Sequence, residues 1–155
     1  MILLKKELVR FLFIVIVLAI LVQPADATAM SITVPKGEEI TKSISLVAED
    51  HVSVKFTVVG QTASTLDFYI TDPHRDIKVE YSEIGNVDYR FVCDEAGEYV
   101  LHFHNTDMSE DKLVTLNYEI QHYIFGIPQM LFLTIIIVLV CMSAVATFTL
   151  MGKPH

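Results

Sequence analysis

The chain has 155 residues, 52% of them apolar, and a formal net charge of −8. That length holds one modest domain beside any targeting or membrane segment. The negative balance disfavours phosphate backbones and anionic bilayer surfaces, so no nucleic-acid partner is expected.

The chain opens with "MILLKKELVRFLFIVIVLAILVQPADATA". Lys5, Lys6 and Arg10 precede an unbroken apolar run over residues 11–22, which Gln23 and Pro24 end. Ala27 and Ala29 put small residues at the −3 and −1 positions of a cut. Basic, then apolar, then small is the order of a secretory signal, assigned to residues 1–29. As a helix the apolar run would reach only ~18 Å at about 1.5 Å per residue. A hydrocarbon core is ~30 Å thick, so a cleaved signal is expected rather than a retained anchor. Cleavage after Ala27 or Ala29 would free a chain starting near Thr28 or Met30.

Residues 30–122 then read as one extracytoplasmic domain. From residue 30 to 125 the chain carries seven basic and seventeen acidic side chains, leaving it at −10. Apolar residues alternate with polar ones in "HVSVKFTVV", "LDFYITD" and "KLVTLNYEI". A period of two marks strands with one buried face. Val52, Val54, Phe56 and Val58 form one such face, and Leu66, Phe68 and Ile70 another. "ITKSISLV" fits less well, because Lys42 falls on the apolar face, a placement tolerated at a sheet edge. In "GEYVLHFHN", Tyr99, Leu101 and Phe103 face the core, while His102 and His104 share the wetter face. Turn residues separate the runs at Pro35-Lys36-Gly37, Glu49-Asp50, Gly60-Gln61, Asp72-Pro73-His74, Gly85-Asn86, Glu95-Ala96-Gly97 and Asn105-Thr106-Asp107. Seven or eight strands at this spacing predict an all-β fold, an antiparallel β-sandwich. Cys93 is the domain's only cysteine, so no intradomain disulfide is expected, and the residue reads as a small buried one.

Residues 123–126 form a short joint in which Tyr123 and Phe125 sit where interfacial aromatics anchor a span. Residues 127–151 carry no charge. As a helix they would span ~37 Å at about 1.5 Å per residue, enough to cross a bilayer with some tilt. Thr134, Ser143, Thr147 and Thr149 can return their hydroxyls to helix carbonyls. Residues 152–155, with Lys153, are the expected cytoplasmic tail. The expected topology is single-pass, with the domain at the cell surface or in a secretory lumen. Ser143, Ala146 and Thr147 offer a small-residue face for lateral oligomerisation in the bilayer.

The stretch "LDFYITDPHRDIKVEY", followed by "YRFVCDEAGEYVLHFHNTDMSEDKLVTLNYEI", resembles the GOLD (Golgi dynamics) domain. The resemblance covers residues 66–120 and rests on the Asp72-Pro73-His74 turn, Phe91, the acidic turn closing on Gly97, the Gly-x-Tyr strand, Phe103 and Asn105. It implies a β-sandwich similar to that of the single-pass cargo receptors of the early secretory pathway. Three departures accompany it. His102 stands where those receptors hold a disulfide cysteine. Residues 120–128 leave no room for their coiled coil. Gly152-Lys153-Pro154-His155 lacks their tail signals.

Candidate chemistry is sparse. His102 and His104 would both reach one metal ion from a shared strand face, with His51, His74, His122 or an acidic residue as a further ligand. Cys93, His102, His104 and Met108 supply the residue types of a blue-copper site, but in the wrong ligand order. Asp72, Asp76, Asp94 and Glu95 would suit calcium, although their spacing matches no defined loop. No Gly-x-Ser-x-Gly or His-Glu-x-x-His motif and no Asn-x-Ser/Thr sequon occurs, so no catalysis is expected. The expected function is protein–protein recognition by a membrane-tethered sandwich, without a cofactor, the protein partner's identity being open and the bilayer itself a second partner. The alternatives are a metal or redox module at His102 and His104, or a small subunit of a membrane complex.

Overall fold

The computed structural model describes residues 26–151. Most of the expected signal and the whole expected tail lie outside the described residues. Eight strands build the domain: β1 (Asp26–Val34), β2 (Glu39–Leu46), β3 (His51–Val59), β4 (Leu66–Thr71), β5 (Ile77–Ile84), β6 (Asn86–Val92), β7 (Gly97–His104) and β8 (Lys112–Gln121). They form two antiparallel four-stranded sheets, ordered β1-β8-β3-β6 and β2-β7-β4-β5. The expected sandwich is present, and its alternating faces lie as the periodicity predicts. Lys42 lies on β2, an edge strand, as its awkward phase requires.

Between the sheets, Phe56, Phe68 and Phe103 pack ring against ring, with centroids 4.8–5.4 Å apart. Each ring is 3% exposed or less, and burying such a side chain stabilises by roughly 1.5–3 kcal/mol. Gly97 opens β7 beneath the Pro73 ring. A Cβ there would lie 2.5 Å from Pro73 Cγ, which is why the Gly-x-Tyr strand begins on glycine. The strand's centre then pairs with β2 on one side and β4 on the other, setting His102 opposite Thr41 and Tyr69.

The domain begins earlier than its sequence suggests. Residues 26–29, read above as the end of the signal, belong to β1 and pair with residues 117–120 of β8. Small alanines on the outer side of β1 satisfy a strand's outer face as well as they satisfy a cleavage site.

The segment from residue 124 onward forms a unit separate from the sandwich. Phe125 and Gly126 both take positive φ, at 53° and 72°, the geometry of a tight two-residue turn between the two-residue strands β9 (Tyr123–Ile124) and β10 (Ile127–Pro128). Helix α1 (Gln129–Met151) follows, 23 residues without a charge and long and apolar enough to cross a membrane. Thr134 Oγ1 donates to the Met130 carbonyl at 2.8 Å, and Thr147 Oγ1 to that of Ser143 at 2.7 Å. These bonds keep hydroxyls satisfied without breaking the helix. Among the described residues no helix stands between β8 and α1, so the coiled coil of the cargo receptors is missing here.

Candidate functional site

The outer face of β2, β7 and β4 holds the most organised side chains of the second sheet. His102 projects from β7, and its ring stacks on Tyr69 of β4 with centroids 4.1 Å apart and planes 8° from parallel. His102 Nδ1 lies 2.6 Å from Glu39 Oε1 of β2. Nε2 lies 3.1 Å from the Thr71 hydroxyl. The Tyr69 hydroxyl donates to the other Glu39 oxygen at 3.0 Å. Burial opposes ionisation of Glu39, but the hydrogen bonds from His102 and Tyr69 outweigh it and lower its pKa. Burial and the same carboxylate push the Tyr69 phenol upward. His104 lies opposite Glu39 on one side and Asp67 on the other. The result is a fixed polar face, with both ring nitrogens of His102 already engaged.

The further metal ligands expected from the sequence lie elsewhere. His51 sits on the first sheet and stacks on Tyr123 at 4.0 Å. His74 contacts Glu95, and His122 Nδ1 contacts Asp50, each at 2.7 Å. None shares the His102 strand face. Among the described residues no group of three or more His, Cys, Asp or Glu side chains is arranged to hold a metal ion. The copper set is scattered too. Cys93 is buried and its Sγ donates to the Glu95 carbonyl at 2.9 Å, whereas Met108 is 76% exposed at the opposite end of the domain, over Gly37. Three carboxylates of the calcium set are engaged by the protein itself, Glu95 by His74. Asp72 Oδ1 accepts the His74 and Asp76 N–H groups, and Asp94 pairs with Lys78.

Two networks at the ends of the sandwich were not apparent from the motifs. At the far end, Lys112 is buried at 1% exposure and donates from Nζ to Asp107 at 2.9 Å, to Glu110 and to the Ala63 carbonyl. The Glu110 carboxylate also accepts N–H groups of Gln61, Thr62 and Ala63. The bond from Lys112 is the largest influence on Glu110 and helps depress its pKa to about 2. Asp107 is held well below the usual carboxylate range by Ser109 and then Lys112. For Lys112, burial is outweighed by the two carboxylates, and its pKa rises. Asn105, fully buried, donates to the carbonyls of Val34, Pro35 and Glu110 and accepts the Asp107 N–H. Three loops are tied together there.

At the other end, from which the chain leaves toward α1, Asp50 is buried at 1%. Its Oδ2 accepts the Val47 N–H at 2.8 Å while Oδ1 meets His122. Backbone bonds between Asp50 and Cys93, and between Glu49 and Cys93, close the two loops on each other. The Tyr99 hydroxyl donates to the Glu95 carbonyl, and burial followed by the nearby Cys93 pushes its pKa up to about 12.

The sequence profile of the emp24/gp25L/p24 family/GOLD matches residues 29–128. Among solved structures, the chain is similar to PliG of Aeromonas hydrophila, a periplasmic inhibitor of g-type lysozyme, at 13% identity and a TM-score of 0.47, over 63% of this chain and 88% of that one. The PliG of Salmonella Typhimurium is similar at 13% identity and a TM-score of 0.45, over 64% and 91%. A search of curated protein sequences gives no match.

Proposed function

Because the chain belongs to the emp24/gp25L/p24 family of GOLD proteins, we propose that it is a single-pass membrane protein whose extracytoplasmic sandwich recognises other proteins, in the manner of a cargo receptor. One observation carries this reading. A GOLD sandwich is followed, within a few residues of its last strand, by a 23-residue uncharged helix. The sandwich is well suited to recognition because its surface groups are held before any partner arrives. Ordering a mobile side chain at an interface costs about 0.5–1.5 kcal/mol, and the Glu39–Tyr69–His102 set is already ordered. Its departures from the cargo receptors limit what carries over. Both described cysteines, Cys93 and Cys141, are free, and the coiled coil is missing, so assembly through that segment is not part of the proposal.

Cross-linking of intact membranes followed by mass spectrometry tests the reading. The expected result is adducts between sandwich residues such as Lys42 or Lys55 and other protein chains. Adducts confined to lipid-embedded positions of α1 would favour a small subunit held by its span.

Metal binding at His102 and His104 is a second proposal, resting on the shared face of β7 from which the two side chains project. A metal ion would have to displace Glu39 or Thr71 from the His102 ring. Equilibrium dialysis of the protein with zinc should then show uptake that a His102→Ala/His104→Ala variant loses. Equal uptake by both proteins would end the idea.

A further inference from the structure

Seven basic residues lie between residues 30 and 125. Two are engaged inside the fold, Lys78 by Asp94 and Lys112 by Asp107 and Glu110. Lys36, Lys42 and Arg75 are spread over β2 and two turns. Lys55 and Arg90, by contrast, are brought together on the outer face of the first sheet. β3 pairs with β6 so that Ser53 lies opposite Arg90 and Lys55 opposite Asp88. Lys55 and Arg90 are therefore diagonal neighbours. Asp88 serves both, at 3.1 Å from Lys55 Nζ and 3.5 Å from Arg90 Nε. Two exposed cations share one carboxylate.

Ser53 is a short residue ringed by longer ones. Along β3 its neighbours on the same face are His51 and Lys55, and across the sheet they are Arg90 of β6 and Glu119 of β8. Long side chains around a short one leave a hollow of about 390 Å³, lined by these residues and by Gln121. Several of its polar groups are unused. The His51 ring stacks on Tyr123, and neither of its nitrogens meets a hydrogen-bond partner among the described residues. Arg90 meets its one carboxylate through Nε, which leaves its terminal amino groups open. Glu119 Oε1 accepts from Gln121 at 2.7 Å, and Oε2 is open. Beyond Lys55 a second hollow of about 410 Å³ continues the trough, floored by Thr57 and walled by Asn86, Thr115 and Asn117. From Ser53 to Thr57 the trough runs roughly 13 Å, the reach of about four extended residues.

We infer that the hollow over Ser53 is a docking site for an aspartate or glutamate side chain carried on an extended segment of a partner protein. This rests on the recognition reading above and deepens it by naming the surface and the partner's chemistry. The carboxylate would lie against the Arg90 fork, with Lys55 and His51 as further donors. Two observations select this ligand over other anions. The domain carries −10, and Glu119 stands across Ser53 from Arg90, so every further negative charge on the ligand is repelled. A phosphate monoester brings nearly two charges and no donor at its anionic end. A peptide brings one charge with an amide N–H close by, which the open oxygen of Glu119 is placed to accept. The second observation is the length of the trough. Its far half offers hydroxyls and side-chain amides, which suit the main-chain N–H and C=O groups of an extended segment and leave a small anion nothing to fill.

The test titrates the full chain in a nonionic detergent with an acetylated, amidated peptide of alternating glutamate and serine, followed by calorimetry. The acidic peptide should bind, and its glutamine counterpart should bind at least about tenfold more weakly, the loss expected for a charged hydrogen bond. Arg90→Ala should weaken the acidic peptide by a similar factor. Arg90→Lys should weaken it less, because it keeps the charge and loses the fork. Ser53→Leu fills the hollow without changing charge and should abolish binding. All three positions lie on the outer face, and an unchanged thermal midpoint verifies that each variant is folded. No binding of the acidic peptide, equal binding of the two peptides, or full binding by Ser53→Leu would overturn the inference. Inorganic phosphate or glycerophosphate that binds in place of the peptide, and is lost in Arg90→Ala, would overturn it too and assign the hollow to phosphate. A photo-reactive side chain at position 57, in intact membranes, separates the site from the recognition reading. Protein adducts that Arg90→Ala loses support the site. Adducts elsewhere on the sandwich that Arg90→Ala leaves unchanged, with none at position 57, remove the hollow and leave recognition standing. A sandwich that cross-links to no protein removes both.

Discussion

The two ends of the sandwich solve the same problem with different chemistry. Each must fasten loops around buried polar groups. The far end uses a lysine: Lys112 is inserted between Asp107 and Glu110 and capped by the Ala63 carbonyl. The end from which the chain leaves uses histidines, with His122 on Asp50 and His74 on Glu95. A lysine keeps its charge throughout the physiological range, whereas histidine is the side chain whose ordinary titration falls inside it. The far end therefore holds across the physiological range, whereas at the other end protons alter the His74–Glu95 contact.

The largest expected effect is at the far end. Lys112→Ala would strand two carboxylates and release the loop that Ala63 anchors. Breaking a buried ion pair costs ~3–5 kcal/mol. Asp107 and Glu110 keep 26% and 14% side-chain exposure, which places the loss near the lower limit. Urea denaturation should show a lower midpoint with an unchanged slope. A smaller effect is expected at the exit end from Asp50→Ala, which leaves the Val47 N–H and His122 without an acceptor. Losing such a buried acceptor costs roughly 1–3 kcal/mol. If Asp50→Ala proved the more damaging of the two, the contrast between the ends would be reversed.

pH gives the smallest effect and the sharpest contrast. The depressed pKa of Glu110 contributes stability that is present above its ordinary value of 4.5 and is lost only as pH falls toward about 2. His74 behaves oppositely. Its hydrogen bond to Glu95 raises its pKa, so its contribution is full below the ordinary value of 6.5 and disappears as pH rises through the raised one. His74 is exposed, so solvent screening keeps this contribution small. Thermal midpoints measured at about pH 5.5 and about pH 8.5 should show a small loss at the higher pH that His74→Gln abolishes. The increment lost on Lys112→Ala should be the same at both.

Much of this was legible from period and punctuation. The face of β3, the inward set of β7 and the awkward phase of Lys42 all follow from alternation, because a strand's side chains point to opposite faces in turn. Lys112 shares its phase with Val114 and Leu116, so its burial was readable, though its partners were not. Those partners depend on which loops meet, and Asn105 reaches Val34 across 71 residues. His102 and His104 were placed on the correct face. What occupies the His102 ring was hidden, because Glu39 and Tyr69 reach it only through the order of strands in the sheet. The start of β1 was obscured because Ala27 and Ala29 suit a signal cleavage site and a strand equally well.

The central claim is that the sandwich, rather than the helix, carries recognition. Replacing residues 129–151 with an unrelated membrane span of equal length and repeating a pull-down from cross-linked membranes tests it most directly. The account predicts that the same proteins are recovered with the foreign span as with α1. Loss of those proteins from the foreign-span chain, with the sandwich still folded, would contradict it.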